Sequence, residues 1–167
     1  MLKLIKEKID EGCAPTMASY AQMLYEGDCV PVNKKEALRY YKMAFDFGLT
    51  SVINNIFIMM FNGDGIPENK PEALRYLKIA ADRGDVVSMS HYGMYLCKGE
   101  YISADKKEGI KYIKMAADKG DVNSMHNYAC MLINGNGITL NYKEALIYFK
   151  MAVDKGFSDS MVSYGEM

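Results

Sequence analysis

The 167-residue chain carries 20 Lys and Arg side chains against 21 Asp and Glu, a formal net charge of −1, and half of its residues are apolar. This composition excludes a disordered polyelectrolyte, and the balanced charge gives no electrostatic basis for binding nucleic acid or an anionic membrane. No apolar run in the sequence approaches the roughly 20 residues that span a bilayer. We therefore expect a folded protein whose partners do not include nucleic acid or membrane.

Self-similarity at a spacing of 36 residues divides the chain into consecutive units. One thirteen-residue pattern recurs as EALRYYKMAFDFG at 36–48, EALRYLKIAADRG at 72–84, EGIKYIKMAADKG at 108–120 and EALIYFKMAVDKG at 144–156. Within a single repeat domain, 1–167, the predicted units are 1–12 (half a unit), 13–48, 49–84, 85–120, 121–156 and 157–167 (partial). A repeat of this length is typical of helix pairs that stack on their neighbours.

The first predicted helix of each unit, helix A, has its apolar residues on one face. The predicted copies are 14–26, 50–62, 86–98 and 122–134. In the last copy Met125, Tyr128, Ala129, Leu132 and Ile133 follow one another at steps of 3, 1, 3 and 1. These steps match the period of 3.6 residues per turn and predict an amphipathic helix.

The recurrent thirteen-residue pattern is the second predicted helix, helix B. Asn or Asp stands three residues before Glu at each start: Asn33/Glu36, Asn69/Glu72, Asp105/Glu108 and Asn141/Glu144. Such a pair predicts a capping box, in which each side chain bonds a backbone N–H of the other. The outer face of helix B repeats Lys and Asp four residues apart, which we interpret as a solvated face with weak ion pairs.

Glycines mark the loop between helix A and helix B. The second loop glycine is Gly65 and Gly137 in two units, but Cys29 and Tyr101 in the others. Because a residue with a Cβ resists positive φ, we expect the loops of Cys29 and Tyr101 to adopt a different turn. Gly109 replaces Ala at the start of the third helix B, and we expect it to weaken that turn slightly.

These motifs resemble the Sel1-like repeat family, a relative of the tetratricopeptide repeats. The segments SYAQMLYEGDCV, NYACMLINGNGI and EALIYFKMAVDKG are similar to that family's helix A, its G-x-G-[VI] loop and its helix B. The resemblance covers nearly the whole chain. It implies an all-α fold, a right-handed α-solenoid of antiparallel helix pairs with a 36-residue repeat, and a non-catalytic protein–protein interaction module that acts as adaptor or scaffold.

By resemblance to related helix-pair repeats, helix A is expected to line a concave groove that binds a peptide or protein segment. The candidate residues are Asn54, Ile58, Phe61, Asn62, Ser90, Met94, Lys98, His126, Cys130 and Asn134, with Cys97 and Ile133 on the same helices. Amides can bond an extended peptide backbone, and Met and Ile offer adaptable contacts. In the alternative reading these residues are packing or solvated filler, and the chain is a structural spacer of a larger repeat protein.

The sequence contains no catalytic, cofactor or metal constellation that we can identify. Neither His91 nor His126 has a second His or a paired Cys at metal-ligand spacing. His126 and Cys130 are four apart on one helix, as a Cys–His nucleophile pair would need, but other units carry Met94 or Ile58 at the cysteine's position. We therefore predict no enzyme and no cofactor, with an enzyme-associated repeat domain as a further alternative.

The four cysteines fall at different places within the repeat and form no C-x-x-C motif. They are Cys13, Cys29, Cys97 and Cys130. A disulfide or zinc framework would recur with the repeat, so we expect free thiols and, from them, a cytoplasmic location.

The two ends of the sequence fall inside predicted helices. Residue 1 aligns with Ala37 of helix B, and residue 167 aligns with Met131 of helix A. Independent solenoids normally end in polar caps. We therefore expect a segment of a longer repeat array, with apolar ends that favour end-to-end self-association.

Overall fold

Nine α-helices account for most of the residues that the structure describes. The computed structural model describes residues 2–157 and residue 160. The helices are α1 (Leu2–Asp10), α2 (Ala14–Glu26), α3 (Lys34–Asp46), α4 (Ile53–Asn62), α5 (Lys70–Asp82), α6 (Val86–Lys98), α7 (Lys106–Asp118), α8 (Val122–Asn134) and α9 (Tyr142–Asp154). No strand occurs in this part of the chain, so the all-α prediction is confirmed.

Helix A corresponds to α2, α4, α6 and α8, and helix B to α3, α5, α7 and α9. The predicted bounds of helix A are confirmed in all but the second copy, where Thr50–Val52 forms a 3₁₀ turn before α4. Asp85 and Asp121 cap α6 and α8 by accepting a backbone N–H bond at 2.7 Å. Leu49 stands at the equivalent position of the second unit and makes no side-chain cap. Cys13 makes none either, but α2 has Pro in its first turn and begins without a 3₁₀ turn.

The chain forms two compact units, Met1–Leu77 and Lys78–Met167. In the first unit α2 packs against α3, and α3 packs against α4. In the second unit α6 packs against α7, α7 against α8, and α8 against α9. Within each unit, helices that follow one another along the chain are thus neighbours in space, as a stack of helix pairs requires.

Small side chains and tyrosines fill the space between neighbouring helices. Ala44, Ala80, Ala116 and Ala152 are fully buried at one repeated position of helix B. Tyrosines of helix A and helix B meet edge to face in three repeats, with centroids 4.9 to 5.2 Å apart: Tyr20/Tyr40, Tyr92/Tyr112 and Tyr128/Tyr148. Alanine permits the close approach of two backbones, and the paired rings fill the volume beside it.

The predicted capping box forms in part. The side-chain oxygen of Asn33 accepts the N–H of Glu36 at 3.0 Å, and the other three helix B starts make the same bond. The backbone N–H of Asn33 does not donate to the Glu36 side chain, as a complete capping box would require. It donates to the carbonyl oxygen of Leu24 in α2 at 2.8 Å. The cap residue therefore ties helix B to the helix A that precedes it.

Cys29 and Tyr101 adopt the left-handed backbone of the glycines, so the expectation of a different turn is wrong. Their φ angles are 59° and 63°, against 76° for Gly65 and 81° for Gly137. A residue with a Cβ is strained in this region by about 1–2 kcal/mol. The loop path is therefore imposed on these two residues from outside.

One backbone hydrogen bond holds all four loops to the same path. It joins the N–H of the helix B cap residue to a carbonyl near the end of the preceding helix A. The four bonds are Asn33–Leu24 at 2.8 Å, Asn69–Met60 at 2.7 Å, Asp105–Leu96 at 3.0 Å and Asn141–Leu132 at 3.1 Å. Because both ends of the loop are fixed in this way, a change of residue in the middle leaves the turn unchanged.

The second loop glycine also makes room for a lysine of the preceding repeat. A Cβ on Gly65 would lie 2.4 Å from Cδ of Lys34, and a Cβ on Gly137 would lie 3.3 Å from Cβ of Lys106. The Lys34 ammonium group then reaches the Asp64 carboxylate at 2.5 Å. Gly65 and Gly137 are thus favoured by packing between repeats as well as by φ.

Gly109 allows α7 to approach α6 more closely than alanine would. A Cβ on Gly109 would lie 2.6 Å from Sγ of Cys97 and 2.7 Å from the carbonyl oxygen of Gly93, and a Cβ on Gly93 would meet the Gly109 carbonyl oxygen at 2.7 Å. The other units carry Ala37, Ala73 and Ala145 at this position. The expected loss of helix propensity at Gly109 is therefore offset by closer packing of the two helices.

The outer face of helix B makes the predicted ion pairs four residues apart at Lys78/Asp82 and Lys114/Asp118, and it also links adjacent repeats. Lys114 Nζ of α7 lies 2.6 Å from Oη of Tyr148 and 3.2 Å from Oε1 of Glu144, both in α9. The Tyr148 hydroxyl in turn donates to Asp118 of α7 at 2.5 Å. The lysine and the aspartate of one repeat thereby hold the tyrosine of the next.

The same contacts recur in other repeats. Within the first unit Lys42 Nζ lies 2.9 Å from Oε1 of Glu72, and within the second unit the Tyr112 hydroxyl donates to Asp82. Burial, together with the bond to the carboxylate, raises the pKa of Tyr112 to about 12. This phenol stays protonated and keeps donating its hydrogen bond far above neutral pH.

We predict that Cys29→Gly raises the free energy of unfolding by about 0.5–1 kcal/mol. The substitution stabilises the folded state, because it relieves about 1–2 kcal/mol of strain in the left-handed backbone. It also gives the unfolded chain more conformational entropy, which lowers the stability of the protein by about 0.5–1 kcal/mol. Urea denaturation of the full chain measures the change. The matched control, Gly65→Ala, should lower stability, because the new Cβ meets both positive φ and Lys34. A destabilised Cys29→Gly variant would contradict the imposed turn.

We predict that Gly109→Ala destabilises the protein by about 1–3 kcal/mol, as overpacking does. Helix propensity alone predicts the opposite sign, a gain of about 1 kcal/mol. The control is Lys107→Ala, an exposed position of the same turn, which should change stability by less than about 0.5 kcal/mol. Chemical denaturation distinguishes the two signs, and a more stable Gly109→Ala variant would show that α6 and α7 are not limited by this contact.

Candidate functional site

A stripe of α8 lines a cleft in the second unit. Its members are Asn127, Cys130, Met131 and Asn134, and the cleft of about 200 Å³ is completed by Met94 of α6 and Asn136 of the loop after α8. The stripe residues are 3, 1 and 3 positions apart, so they share one face of the helix. We call this site the α6–α8 cleft. It brings together three of the residues predicted from sequence: Met94, Cys130 and Asn134.

The α6–α8 cleft combines apolar walls with amide groups. Met94, Cys130 and Met131 supply thioether and thiol surface, and no lining residue carries a charge. Among the amides, Asn127 Nδ2 makes only a long contact of 3.9 Å to the Met94 sulfur. Asn136 Oδ1 accepts a hydrogen bond from Lys106 at 3.1 Å. An amide offers both a donor and an acceptor, which is what an extended peptide backbone requires.

Cys130 and His126 are in contact, but they do not form an activated nucleophile. The distance from Cys130 Sγ to His126 Nε2 is 3.5 Å, and His126 Nδ1 lies 2.9 Å from the Ser160 hydroxyl. Burial raises the pKa of the Cys130 thiol above its ordinary value. Catalytic cysteines show the opposite shift, because the thiolate is the attacking species. The pair is therefore a packing contact with a neutral thiol.

The equivalent position in the first unit, two repeats earlier, is a smaller hollow of about 70 Å³. It is lined by Tyr25, Asn54, Asn55, Ile58 and Met59. Asn55 donates to the Tyr41 hydroxyl at 3.2 Å, and that hydroxyl donates to Gln22. Tyr25 donates to Asp64. Asn54 and Ile58, both predicted from sequence, are therefore exposed here beside polar groups that are already bonded within the unit.

Five predicted residues lie outside both sites, and three of them are near the ends of α4 and α6. Phe61 is half-buried and stacks on Phe57, with ring centroids 4.8 Å apart. Asn62 and Lys98 are the last residues of α4 and α6 and are exposed. Asn62 and Lys98 thus extend the helix A surface, whereas Phe61 contributes to packing.

Ser90 and His126 contact the following repeat. Ser90 is buried, and its hydroxyl accepts a bond from Ser124 at 2.8 Å. His126 occupies the same repeat position and meets Ser160 at 2.9 Å. Both contacts join residues 34 positions apart. This position of helix A therefore connects successive repeats of the second unit and does not face the cleft.

Sequence reasoning missed three residues of the α6–α8 cleft: Asn127, Met131 and Asn136. The signal for the first two was available, since Asn127 to Asn134 reads as an i, i+3, i+4, i+7 stripe. The sequence prediction named His126, whereas the next residue, Asn127, lines the cleft. Consecutive residues of an α-helix point about 100° apart around its axis, so the predicted face was rotated by that angle. Asn136 had no such signal, because the loop is placed by Lys106 of another repeat.

Metal-binding clusters and membrane-spanning helices are absent from residues 2–157 and 160. This part of the chain holds no group of three or more His, Cys, Asp or Glu side chains arranged to bind a metal ion. None of its helices combines the length and the apolar character needed to cross a membrane.

Known proteins share both the repeat and the fold. The Sel1 repeat model matches residues 14–46, 53–85, 86–121 and 122–157. A protective antigen of uropathogenic Escherichia coli with an SLR fold is 23% identical, with a TM-score of 0.85 over 100% of this chain and 36% of that one. A Sel1 repeat protein of Oxalobacter formigenes is 26% identical, with a TM-score of 0.76 over 92% of this chain and 62% of that one.

A third solved structure is the cysteine rich protein B of Helicobacter pylori. It is 22% identical, with a TM-score of 0.60 over 76% of this chain and 91% of that one. The chain covers less than two thirds of the Escherichia coli and Oxalobacter proteins. A search of the curated proteins gave no match. The structural matches confirm the predicted α-solenoid fold class.

We predict that Cys130 reacts slowly with a thiol reagent at neutral pH, and that its rate keeps rising above pH 9. Its pKa is raised by burial, so only alkaline solution produces the thiolate. The comparison is Cys13, whose pKa is lowered by a hydrogen bond from Thr16. Variants that keep one cysteine each would be titrated from pH 6 to 10. A Cys130 rate that levels off below pH 7 would indicate an activated nucleophile.

Proposed function

Because the chain belongs to the Sel1 repeat family, as its motifs predicted, we propose that it is a non-catalytic adaptor or scaffold that binds an extended peptide or protein segment on its helix A surface. Sel1 repeat proteins are generally protein-interaction modules and non-enzymatic scaffolds. The observation that carries the proposal for this chain is the α6–α8 cleft, where apolar walls and amide groups lie together.

The roles proposed for the candidate residues follow from their positions. Met94 and Cys130 would contact an apolar side chain of the bound segment, and Asn134 would bond its backbone. Lys98 would extend the contact along α6 within the second unit, whereas Asn54, Ile58 and Asn62, which belong to the first unit, are not assigned a contact with this segment. Ser90 and His126 would act indirectly, because they join successive repeats. Phe61 would act through its stacking on Phe57 within α4.

Charge and cysteine chemistry support the remaining parts of the proposal. The net charge of −1 gives no general attraction for nucleic acid, which supports a protein partner. All four cysteines are free thiols. Free thiols are typical of a reducing compartment, so we place the proposed function in the cytoplasm.

We predict that Asn134→Arg weakens binding of a selected peptide at least tenfold, or about 1.4 kcal/mol. Peptides would be selected against the full chain from a random display library, and their affinities measured by calorimetry. The new side chain removes an amide from the cleft and places a charge at its edge. The matched control is Asn123→Arg, an exposed Asn in the first turn of the same helix and outside the cleft. Its affinity should change less than twofold.

Two outcomes would contradict the proposal. If no peptide is enriched over the library background, the chain does not bind extended segments and the structural-spacer alternative is favoured. If every selected peptide binds Asn134→Arg as tightly as the control, binding occurs elsewhere on the surface. Circular dichroism of both variants checks that the comparison is made between folded proteins.

A further inference from the structure

We infer that the α6–α8 cleft is an anchor pocket for one large, uncharged side chain of the bound segment, such as Leu, Met or Phe, and that the first unit has no working copy of this pocket. The inference rests on the proposed function, because it names the part of the ligand that the cleft selects. Three properties of the cleft carry it: its volume, its lack of charge and its difference from the equivalent hollow.

Volume sets the size of the anchor. The α6–α8 cleft has a volume of about 200 Å³, and the hollow of the first unit has a volume of about 70 Å³. The cleft is therefore about three times larger, and we assign the large anchor side chain to it and not to the hollow.

Charge sets the chemistry of the anchor. The six lining residues are Met94, Asn127, Cys130, Met131, Asn134 and Asn136, and all are uncharged. The neighbouring Lys106 ammonium group is bonded to Asn136. A cationic side chain would lose hydration in this cleft without gaining an opposite charge, and it would approach Lys106, which is unfavourable. An apolar side chain would lose only its contact with water, which is favourable.

The difference between the units follows from one core position. Tyr41 is buried where the other units carry Leu77, Ile113 and Phe149. Its hydroxyl needs partners and takes them from Gln22 and Asn55, which correspond to Met94 and Asn127 of the cleft at a spacing of 72 residues. In the first unit the side chains of Gln22 and Asn55 are therefore engaged in hydrogen bonds with Tyr41 and are not offered to a ligand.

A second difference concerns charge. Asp64 of the first unit corresponds to Asn136 of the cleft. The Asp64 carboxylate is bonded to Tyr25 and to Lys34 at 2.5 Å. These bonds lower the pKa of Asp64, with Lys34 as the main cause. The repeat position that supplies a neutral amide to the cleft is thus occupied in the first unit by a carboxylate in an ion pair, and this carboxylate is not part of the hollow's lining.

The experiment compares two tryptophan substitutions with peptides selected against the full chain. Asn134→Trp places a large ring at the cleft, and Asn62→Trp places the same ring at the equivalent exposed position of the first unit. We expect Asn134→Trp to weaken binding at least tenfold and Asn62→Trp to weaken it less than twofold. Within the peptide, replacing one Leu, Met or Phe by Ala should weaken binding at least tenfold, and Lys at that site should weaken it further.

A footprint gives a readout that needs no substitution. Because Cys130 lines the cleft, a bound anchor side chain should slow its alkylation at least fivefold, as measured by mass spectrometry of the digested protein. Alkylation of Cys13 in the first unit should be unchanged. Peptides that bind through a charged residue, that are displaced by Asn62→Trp alone, or that leave Cys130 unprotected would overturn the anchor pocket while the proposed function stands. Failure to select any binding peptide would overturn both.

Discussion

The close approach of neighbouring helices is the constraint on which the rest of this structure depends. Each helix pair has an apolar face too wide to bury alone, so the pairs must stack. The approach is set by buried alanines and, between α6 and α7, by the facing Gly93 and Gly109. Once the helices are at that distance, the loop hydrogen bond follows, and it imposes left-handed backbone on Cys29 and Tyr101. Packing between helices thus determines the loops, and not the reverse.

The same stacking leaves part of each helix A available for binding. One side of α8 is used by the serine and histidine contacts to neighbouring repeats, and another side is buried against α7 and α9. The stripe from Asn127 to Asn134 is what remains, and it forms the α6–α8 cleft. In the first unit the Tyr41 hydroxyl bonds Asn55, which corresponds to Asn127 of the cleft, and Gln22, which corresponds to Met94. A tyrosine at one core position therefore engages groups that face the cleft in the second unit.

Sequence predicted the helices well because their signals are local. Capping residues and apolar spacing predicted both ends of α6 and α8, and apolar spacing predicted α2, which begins without a side-chain cap. The exception is the second copy, where Thr50–Val52 forms a 3₁₀ turn before α4. The loops of Cys29 and Tyr101 were predicted wrongly, since residue preference gave way to a bond between helices. The ion pairs on the outer face of helix B were predicted, but its contacts with Tyr148 and Glu144 were not, because these two residues come from the next repeat. Of the candidate site, Met94, Cys130 and Asn134 were found, and Asn127 and Met131 required the exact rotation of α8.

We propose above that the second unit binds an extended segment through the α6–α8 cleft. Methyl NMR of the full chain with labelled methionines tests it most directly, because Met94 and Met131 line the cleft and Met59 lines the equivalent hollow. During titration with a selected peptide, we expect the methyl resonances of Met94 and Met131 to shift in proportion to the bound fraction. The methyl resonance of Met59 should not shift. Shifts confined to Met59, with Met94 and Met131 unaffected at saturation, would contradict the proposal.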